Sequence, residues 1–352
     1  MSAFKSNDFP EHVRALLYGR EENYLGPYAT LSSMSLGRAS KEISYFGEFR
    51  LCFQRDRDRI THSKAFRRLK GKTQVFMYPI GDHFRTRLTH TLEVSQISRT
   101  IARALALNED LVEAVALGHD LGHTPFGHFG ERALSNIVPS GFHHSRQSER
   151  IAKRMNLTLE VCSGIAKHSK GKGPILDDTI DRYASTLEGQ IVRVADIIAY
   201  LNHDLDDAER AGMVKKDDVP KEISRVLGQT AKERLTTMVY DVIFSTSKLM
   251  ENDFKNCIKR IYMSPSVMES MSSLRGFLFE KVYEDPKIMD DYQKIYRICS
   301  NLFEFFTKNV DELSRRMNIV ELYDTPEMVA VDYISGMTDK FAFDLNEELF
   351  GG

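Results

Sequence analysis

Helical spacing of apolar residues runs through most of this chain and restricts the folds that it can adopt. The clearest case lies between residues 187 and 208, where one face carries Leu187, Ile191, Val194, Ile198, Leu201 and Leu205. Such spacing is typical of an amphipathic helix that buries one face. Convincing runs of alternating apolar and polar residues, which would indicate strands, are missing from the sequence. The sequence therefore predicts a mostly α-helical fold.

Other stretches share this pattern. Residues 86–107 carry an apolar stripe that includes Val94 and Ile101, and a short helix is predicted from about Asn108. Further amphipathic helices are expected at 229–248 and 266–284. We predict an N-terminal segment at 1–50, a helical core at 51–212, and a C-terminal helical region at 213–352 that packs on the core.

Composition excludes several classes of protein. A net charge of -2 and a pI near 6.6 give no global reason to expect a polyanionic partner. The four cysteines are Cys52, Cys162, Cys257 and Cys299, which are far apart and lack CxxC spacing. We therefore expect reduced residues and neither a thiolate zinc site nor a disulfide framework. The start lacks an apolar signal-peptide region, and no apolar run approaches about 18 residues. We therefore expect a cytoplasmic protein without a membrane partner.

Two imidazoles and two carboxylates stand out at separated positions within helical patterns: His90 in RLTH, the pair His119 and Asp120 in GHD, and Asp196 in RVADII. His90 shares the inward face of its helix with Val94, and His119 shares the inward face of the next helix. These groups can converge on one divalent cation, and this donor set suits Mn, Fe, Co, Ni or Mg better than a thiolate-type zinc site. Taken singly, each histidine is more often a core residue, and Asp196 is more often solvated.

The density of titratable residues between positions 119 and 144 favours a functional site over these single-residue interpretations. Besides the GHD residues, this segment holds His123, His128, Glu131, His143 and His144. Each buried titratable group needs a partner, so a structural protein gains nothing from so many of them beside glycine-rich turns. The segment predicts a metal or catalytic site.

Longer strings around these residues resemble one known family. The strings FQRDRDRITHSKAFRRLKGKTQVF, HFRTRLTHTLEV, GHDLGHTPFGHFGE and ADIIAYLNHDLDDA, with the late segment VDYISGMTDKFA, resemble the deoxynucleoside triphosphate triphosphohydrolases of the HD superfamily, called dGTPase-like. The matching strings span Phe53 to Ala342. The resemblance implies a helical HD-domain core with additional C-terminal helices. It also implies hydrolysis of a dNTP to a deoxynucleoside and inorganic triphosphate.

The same resemblance implies roles for individual residues. A divalent ion, with Mn or Mg expected first, would be held by His90, His119, Asp120 and Asp196. By motif position, His128 would protonate the leaving 5′ oxygen, Glu131 would orient His128, and His123 and His144 would contact the phosphates. Because one cation cannot balance a triphosphate, further positive charge is required, and the nearest candidates are Arg87, Arg85 and Arg55.

Sugar recognition follows from the same comparison with the family. Tyr200, four residues after Asp196, would lie beneath the deoxyribose and exclude a 2′-hydroxyl. Asp204, four residues further on, and Gln74 would contact the 3′-hydroxyl. A half-buried packing tyrosine is the competing interpretation of Tyr200.

Two alternative functions stay open. One is a different HD phosphohydrolase, such as a nucleotidase or phosphodiesterase, and the other is a nucleic-acid-binding regulatory HD protein. The run from Arg55 to Lys72 contains eight Lys/Arg against two Asp, which suits a phosphate funnel or a groove for single-stranded nucleic acid. Single-stranded DNA or a dNTP is a possible effector. The resemblance to the family also implies a homo-oligomer, either a tetramer or a hexamer. In the loop at 169–182, Lys170 or Lys172 could close over the triphosphate.

Overall fold

A computed structural model of the chain describes residues 9–42, 48–74, 84–169, 173–176, 179, 182–252, 260–319 and 324–351. Within these ranges the chain forms sixteen α-helices, and its only extended pairings are two isolated bridges, Arg38 with Thr158 and Thr73 with Thr86. The predicted mostly helical class is confirmed.

The helices are numbered in chain order: α1 Phe9–Tyr24, α2 Cys52–Thr61, α3 Lys64–Arg68, α4 Arg87–Ala104, α5 Glu109–Gly118, α6 Gly127–Ile137, α7 His144–Arg154, α8 Leu159–Lys167, α9 Leu187–Arg210, α10 Lys221–Leu227, α11 Ala231–Asn252, α12 Pro265–Leu278, α13 Pro286–Lys308, α14 Val310–Met317, α15 Pro326–Ser335 and α16 Asp339–Phe350. A π-helical turn, Phe279–Tyr283, follows α12. The helices predicted at 86–107, 187–208 and 229–248 correspond to α4, α9 and α11, and the one predicted at 266–284 is divided between α12 and the π-helical turn.

Helix α9 lies at the centre of the molecule and packs against α4, α5, α8, α11 and α12. Its apolar stripe is buried as predicted. The opposite face, which pattern alone assigns to solvent, is also largely buried, because His203 and Asp207 are only 2% and 3% exposed. Carboxylates on this face are therefore enclosed by protein.

The N-terminal segment is tied to the core by buried hydrogen bonds. The Glu188 carboxylate at the start of α9 accepts from the backbone N–H of Thr30 at 2.8 Å and from that of Asn108 at 3.2 Å. Arg38 Nη1 likewise donates to the backbone carbonyl of Asn156 at 2.6 Å. The bonds of Thr30 and Arg38 cross the boundary expected near residue 50, and that boundary stays a prediction.

The C-terminal region also contacts the centre of the molecule. Helix α13 packs on α6, and Asp339 at the start of α16 accepts from the backbone N–H groups of Thr73 at 2.9 Å and Phe126 at 2.7 Å. The C-terminal helices thus hold two loops that flank the histidine-rich segment.

In the described part of the chain, no helix is both long enough and apolar enough to cross a membrane. Cys52, Cys162 and Cys299 are free, in agreement with the expectation of reduced cysteines, and Cys257 lies outside the described residues.

Candidate active site

The four residues predicted as metal ligands come together at the centre of the fold. His90 lies in the first turn of α4, His119 and Asp120 end α5, and Asp196 lies midway along α9. His90 Nε2 is 3.1 Å from Asp196 Oδ1 and 3.4 Å from His119 Nε2. His119 Nε2 is 3.8 Å from Asp120 Oδ1 and 3.9 Å from Asp196 Oδ1. One ligand atom each from His90, His119 and Asp120 lies within 4.8 Å of the others, and Asp196 Oδ1 adjoins both histidines.

The bonding of His119 fixes which ring nitrogen is free to bind. Its Nδ1 lies 2.6 Å from the Ala116 carbonyl, which can only accept a hydrogen bond, so Nδ1 carries the hydrogen and Nε2 has a lone pair. Burial lowers the pKa of His119 and keeps the ring neutral. A neutral imidazole and a nearby carboxylate are the donors that a divalent cation requires.

Both carboxylates of the cluster are held ionised. Burial alone would raise the pKa of Asp120, but the adjacent Arg87 guanidinium outweighs it and holds this pKa well below its usual range. Burial opposes ionisation of Asp196 as well, and the hydrogen bond from His90 lowers its pKa. Arg87 Nη1 donates to Asp120 Oδ2 at 2.9 Å. The remaining Arg87 nitrogens, Nε and Nη2, are buried and have no hydrogen-bond partner within the described ranges.

A second group of titratable side chains adjoins the first. The rings of His123 and His144 stack with centroids 4.9 Å apart, and His123 meets the His128 ring edge-on at 5.8 Å. His128 lies in the first turn of α6 with 51% of its side chain exposed, whereas His123 is fully buried. Among the described residues, His123 Nε2 has no hydrogen-bond partner.

Glu131 is bound most closely to His144. Its Oε1 accepts from the backbone N–H of His144 at 2.8 Å and lies 2.7 Å from His144 Nδ1, while Oε2 lies 4.0 Å from His128 Nδ1. The expected pairing of Glu131 with His128 is thus a longer contact here. His143 is at the N-cap of α7, where its Nδ1 accepts from the backbone N–H of Ser145 at 3.3 Å.

Sequence reasoning missed His168. This fully buried residue follows α8, and its Nε2 lies 3.0 Å from His144 Nε2, while its ring meets that of His119 edge-on at 5.0 Å. His168 lies outside the histidine-rich segment, which ends at His144. Its one signal in the sequence is its position just before a glycine-rich loop.

Tyr200 and Asp204 lie one and two turns beyond Asp196 on α9, and Tyr283 from the π-helical turn donates its hydroxyl hydrogen to Asp204 Oδ2. Tyr283 also meets the His128 ring edge-on at 6.2 Å. No sequence pattern indicates Tyr283, because it reaches the site from a helix end that is distant along the chain. Gln74 is buried, and its Oε1 is unpaired within the described ranges.

Arg85 and Arg55 are both engaged with carboxylates of the protein. Arg85 Nη1 lies 2.6 Å from Asp207 and 3.1 Å from Asp206. Arg55 Nη2 lies 2.7 Å from Glu42. Within the described ranges, no hydrogen bond or ion pair joins either guanidinium to His90, His119, Asp120 or Asp196. A phosphate that binds to either arginine would have to displace these carboxylates.

The first part of the basic run from Arg55 to Lys72 is paired with carboxylates. Arg57 pairs with Asp58, Asp110 and Glu113, while the Lys72 ammonium is buried. Lys64, Arg67, Arg68 and Lys70 are exposed, so the later part of the run presents positive charge at the surface. Lys170 and Lys172, proposed above as a lid, lie outside the described residues.

Close backbone approaches position the loops around the site. A Cβ on Gly122 would lie 2.3 Å from the backbone nitrogen of Ser148, so α7 packs directly on the loop after Asp120. Gly127 has a φ of +55°, and a Cβ there would lie 2.5 Å from the Gln74 carbonyl. These two glycines bring His144 and Gln74 next to the metal-ligand candidates.

Lys72 secures the loop that carries His123. Its buried Nζ donates to the carbonyl of His123 and, at 2.7 Å, to that of Ser335. Burial lowers the pKa of Lys72 to about 7. An unfolded lysine titrates near ~10.4, so between these pH values the unfolded chain holds a proton that the folded chain lacks, and folding becomes more favourable as the pH rises.

We therefore expect the free energy of unfolding of the wild type, minus that of Lys72→Met, to increase by up to about 2 kcal/mol between about pH 7.5 and about pH 9. Urea unfolding of both proteins at the two pH values measures this difference. A difference that is independent of pH would show that Lys72 stays charged in the folded state.

Comparisons with known proteins identify the family of this chain. The model of the HD domain matches residues 87–201, and that of the phosphohydrolase-associated domain matches residues 261–348. The chain is 49% identical to a deoxyguanosinetriphosphate triphosphohydrolase-like protein of Desulfatibacillum aliphaticivorans, over 96% of this chain and 98% of the relative.

Two further relatives carry the same description. The protein of Caldanaerobacter subterraneus subsp. tengcongensis is 49% identical over 96% of both chains, and that of Clostridium perfringens strain 13 is 43% identical over 94% of this chain and 95% of the relative. Identity at this level over nearly the whole length confirms the resemblance seen in the motifs. The chain therefore belongs to the HD-domain family of deoxyguanosinetriphosphate triphosphohydrolase-like proteins.

Proposed function

We propose that this protein is a metal-dependent enzyme that hydrolyses a dNTP to a deoxynucleoside and inorganic triphosphate. The observation that carries the proposal is the convergence of His90, His119, Asp120 and Asp196 beside a buried arginine with two unpaired nitrogens. A family whose members are described as deoxyguanosinetriphosphate triphosphohydrolase-like supports the same activity.

These four residues would hold one divalent ion, for which we propose Mn or Mg; Fe, Co and Ni also suit the donor set. When bound, such an ion supplies a Lewis acid that polarises a phosphoryl oxygen and lowers the pKa of a water molecule. The neutral His119 ring and the ionised Asp120 and Asp196 favour the bound state.

Arg87 would bind a phosphate oxygen of the substrate. Its Nη1 is held by Asp120, which leaves Nε and Nη2 for the ligand, and a guanidinium suits bidentate contact with phosphate. His123, which has an unpaired Nε2, and His144 would line the same phosphate end. Arg55 and Arg85 are paired with carboxylates, so they would attract the triphosphate only weakly and from a greater distance.

His128 would donate the proton that the 5′ oxygen needs, because an alkoxide is a poor leaving group. It is the exposed histidine of the cluster, so a substrate can reach it, and Tyr283 packs against its ring. The negative charge of Glu131 would favour the protonated form of the nearby His128. Through its hydrogen bonds to His144, Glu131 would also position α6 against α7.

The sugar would lie over Tyr200, with Asp204 and Gln74 at its 3′-hydroxyl. Tyr200 is half-buried and lies one turn after Asp196 and one turn before Asp204 on α9, which supports this placement. Tyr283, bonded to Asp204, would close the far side. A 2′-hydroxyl against the Tyr200 ring would have no hydrogen-bond partner, which costs ~1–3 kcal/mol.

Replacement of Tyr200 by Ala is therefore expected to raise the ratio of kcat/KM for GTP over dGTP by about tenfold or more, even as dGTP turnover falls. Asp204→Asn should weaken both nucleotides alike, because they share the 3′-hydroxyl. Steady-state kinetics with the pairs GTP/dGTP and ATP/dATP measure the ratios. An unchanged ratio in the Tyr200 variant would place sugar selection elsewhere.

Product identification tests the proposal as a whole. The protein should be incubated with each of the four dNTPs and Mn or Mg, and the products separated by anion-exchange chromatography. Deoxynucleoside and intact triphosphate in equal amounts are the expected result. Release of phosphate or pyrophosphate, or activity only on monophosphates or cyclic diesters, would favour a different HD phosphohydrolase.

We further propose a homo-oligomer, tetramer or hexamer, in the cytoplasm, with single-stranded DNA or a dNTP as a possible effector. Exposed aromatic residues on α11 and α16 support self-association: Tyr240, Phe244, Phe341, Phe343 and Phe350. For DNA, the support is the exposed group Lys64, Arg67, Arg68 and Lys70, since Arg55, Arg57 and Arg59 are paired with carboxylates. Sedimentation with and without dNTP, and turnover with and without oligonucleotide, test these points.

A further inference from the structure

A carboxylate at the start of α16 binds two segments of the candidate active site at once. Asp339 is the first residue of this helix and directs one oxygen to each segment. Its Oδ2 accepts from the backbone N–H of Thr73 at 2.9 Å and from the Thr73 hydroxyl, while its Oδ1 accepts from the backbone N–H of Phe126 at 2.7 Å. One rigid group of atoms therefore sets the separation of residues 73 and 126.

Each bonded segment leads directly to a residue of the proposed reaction. Gln74 follows Thr73, and its buried Oε1 has no hydrogen-bond partner among the described residues. His128 lies two residues after Phe126, in the first turn of α6. A Cβ on Gly127 would lie 2.5 Å from the Gln74 carbonyl oxygen, so the two segments touch where no side chain fits between them. A shift of either segment would therefore move Gln74 relative to His128.

The backbone at Phe126 depends on this bond for its conformation. Phe126 has a φ of +62°, in the left-handed region that residues other than glycine rarely adopt, and Gly127 follows with +55°. The Asp339 carboxylate accepts from the N–H of this strained residue, which is the N-cap of α6. The bond thus stabilises the turn that begins α6 and fixes the position of His128.

The place of Asp339 is itself fixed by the loop that precedes it. Lys72 Nζ donates to the Ser335 carbonyl at 2.7 Å, and Arg68 Nη1 donates to the Gly336 carbonyl at 3.0 Å. These contacts anchor the loop between α15 and α16 without the Asp339 side chain. A change at Asp339 should therefore release its own bonds and leave the C-terminal helices attached to the core.

We propose that Asp339 is a positioning residue for the hydrolysis: it holds Gln74 and His128 at the separation that the sugar requires. The inference rests on the proposed function, in which Gln74 contacts the 3′-hydroxyl and His128 protonates the 5′ oxygen. Both oxygens belong to the same deoxyribose, so the sugar fixes the distance between them. Two protein groups that act on both oxygens must keep a matching distance, and misplacement by about 1 Å can cost roughly 10²-fold in rate.

Asparagine at position 339 separates these bonds from the size of the side chain. Three donors converge on Asp339, and a carboxylate can accept from all of them through its two oxygens. In Asp339→Asn, Nδ2 would direct hydrogens at one of these donors, so the bonding to one segment is lost at nearly constant volume. Asp344→Asn is the matched control, because this exposed carboxylate on the same helix pairs only with Lys340 within the described ranges, at 2.7 Å.

Substrates that lack the contacted groups distinguish positioning from support of the fold. We expect Asp339→Asn to lower kcat/KM for dGTP by about 10²-fold, and that for 2′,3′-dideoxy-GTP, which has no 3′-hydroxyl, by a smaller factor. A triphosphate ester of 4-nitrophenol has neither the sugar nor an alkoxide leaving group, so its kcat/KM should stay within a fewfold of the wild-type value. Asp344→Asn should leave all three values unchanged. An equal loss for all three substrates would overturn the proposal, because it would show that Asp339 only supports the fold.

Hydrogen exchange of the protein without substrate gives a readout that is independent of activity. In Asp339→Ala, which loses the bonds to both segments, the amides at 72–74 and 124–128 should exchange about tenfold faster or more, while those of α9 stay protected. Faster exchange in only one segment, or in neither, would overturn the coupling of the two by Asp339. If the wild type forms no triphosphate from any dNTP, the proposed function fails, and the exchange result still decides whether Asp339 couples the two segments.

Discussion

Asp120→Asn is expected to abolish the binding of the divalent ion and to lower dNTP turnover by about 10³-fold or more, which corresponds to ~4 kcal/mol of barrier. The change removes a carboxylate that lies at the meeting point of His119, His144 and Arg87. Asparagine keeps the size of the side chain and can still accept the hydrogen bond from Arg87, but it has no charge to offer the ion.

Asparagine is a better replacement than alanine because Arg87 is buried. Either change leaves the Arg87 charge uncompensated, which costs about 3–5 kcal/mol, but alanine would also leave Arg87 Nη1 without its hydrogen-bond acceptor. Asp110→Asn on α5 is the matched control, because this carboxylate pairs with Arg57 away from the site. Metal content and thermal unfolding should be measured beside turnover. Near-normal activity with full metal content in Asp120→Asn would refute the site assignment.

Positions within helices could be predicted because side-chain direction follows from periodicity. His90 shares a face with Val94, and both are buried. His119 was placed correctly for the same reason, since Asn108 caps the helix start and fixes its phase. For Asp196 the pattern pointed outward, and only the resemblance to a family placed it at the site. Its face is buried because α9 is surrounded by other helices, which the sequence of α9 alone does not reveal.

Contacts between distant segments could not be predicted. Glu131 was expected to bond His128 one turn away, but α7 brings His144 closer to it. His168 and Tyr283 reach the site from the ends of α8 and the π-helical turn, each through the packing of separate helices. The pairing of Arg85 with Asp206 and Asp207 likewise depends on how α4 meets α9. Such contacts depend on tertiary packing, for which local patterns carry no signal.

His128→Ala is expected to retain metal and dNTP binding while lowering kcat by about 10²- to 10⁴-fold, the usual contribution of a positioned proton donor. The ring is half exposed, and within the described ranges no hydrogen bond joins it to His90, His119, Asp120 or Asp196. Its removal should therefore leave the metal ligands in place. Glu131→Gln should also lower kcat, and because Glu131 is bonded to His144 it should reduce substrate affinity as well.

The leaving group gives the sharper test of this role. A triphosphate ester of 4-nitrophenol releases a phenolate, which leaves without a proton, so the loss of His128 should matter little for this substrate. We therefore expect the kcat ratio of wild type to His128→Ala to be about 10²-fold or more for a dNTP and within a fewfold of one for the aryl ester. Tyr283→Phe, which keeps the ring against His128 but loses the bond to Asp204, is the matched control and should affect the dNTP through the sugar alone. An equal loss of kcat for both substrates, or loss of metal from His128→Ala, would mean that His128 positions or binds and does not act as the acid.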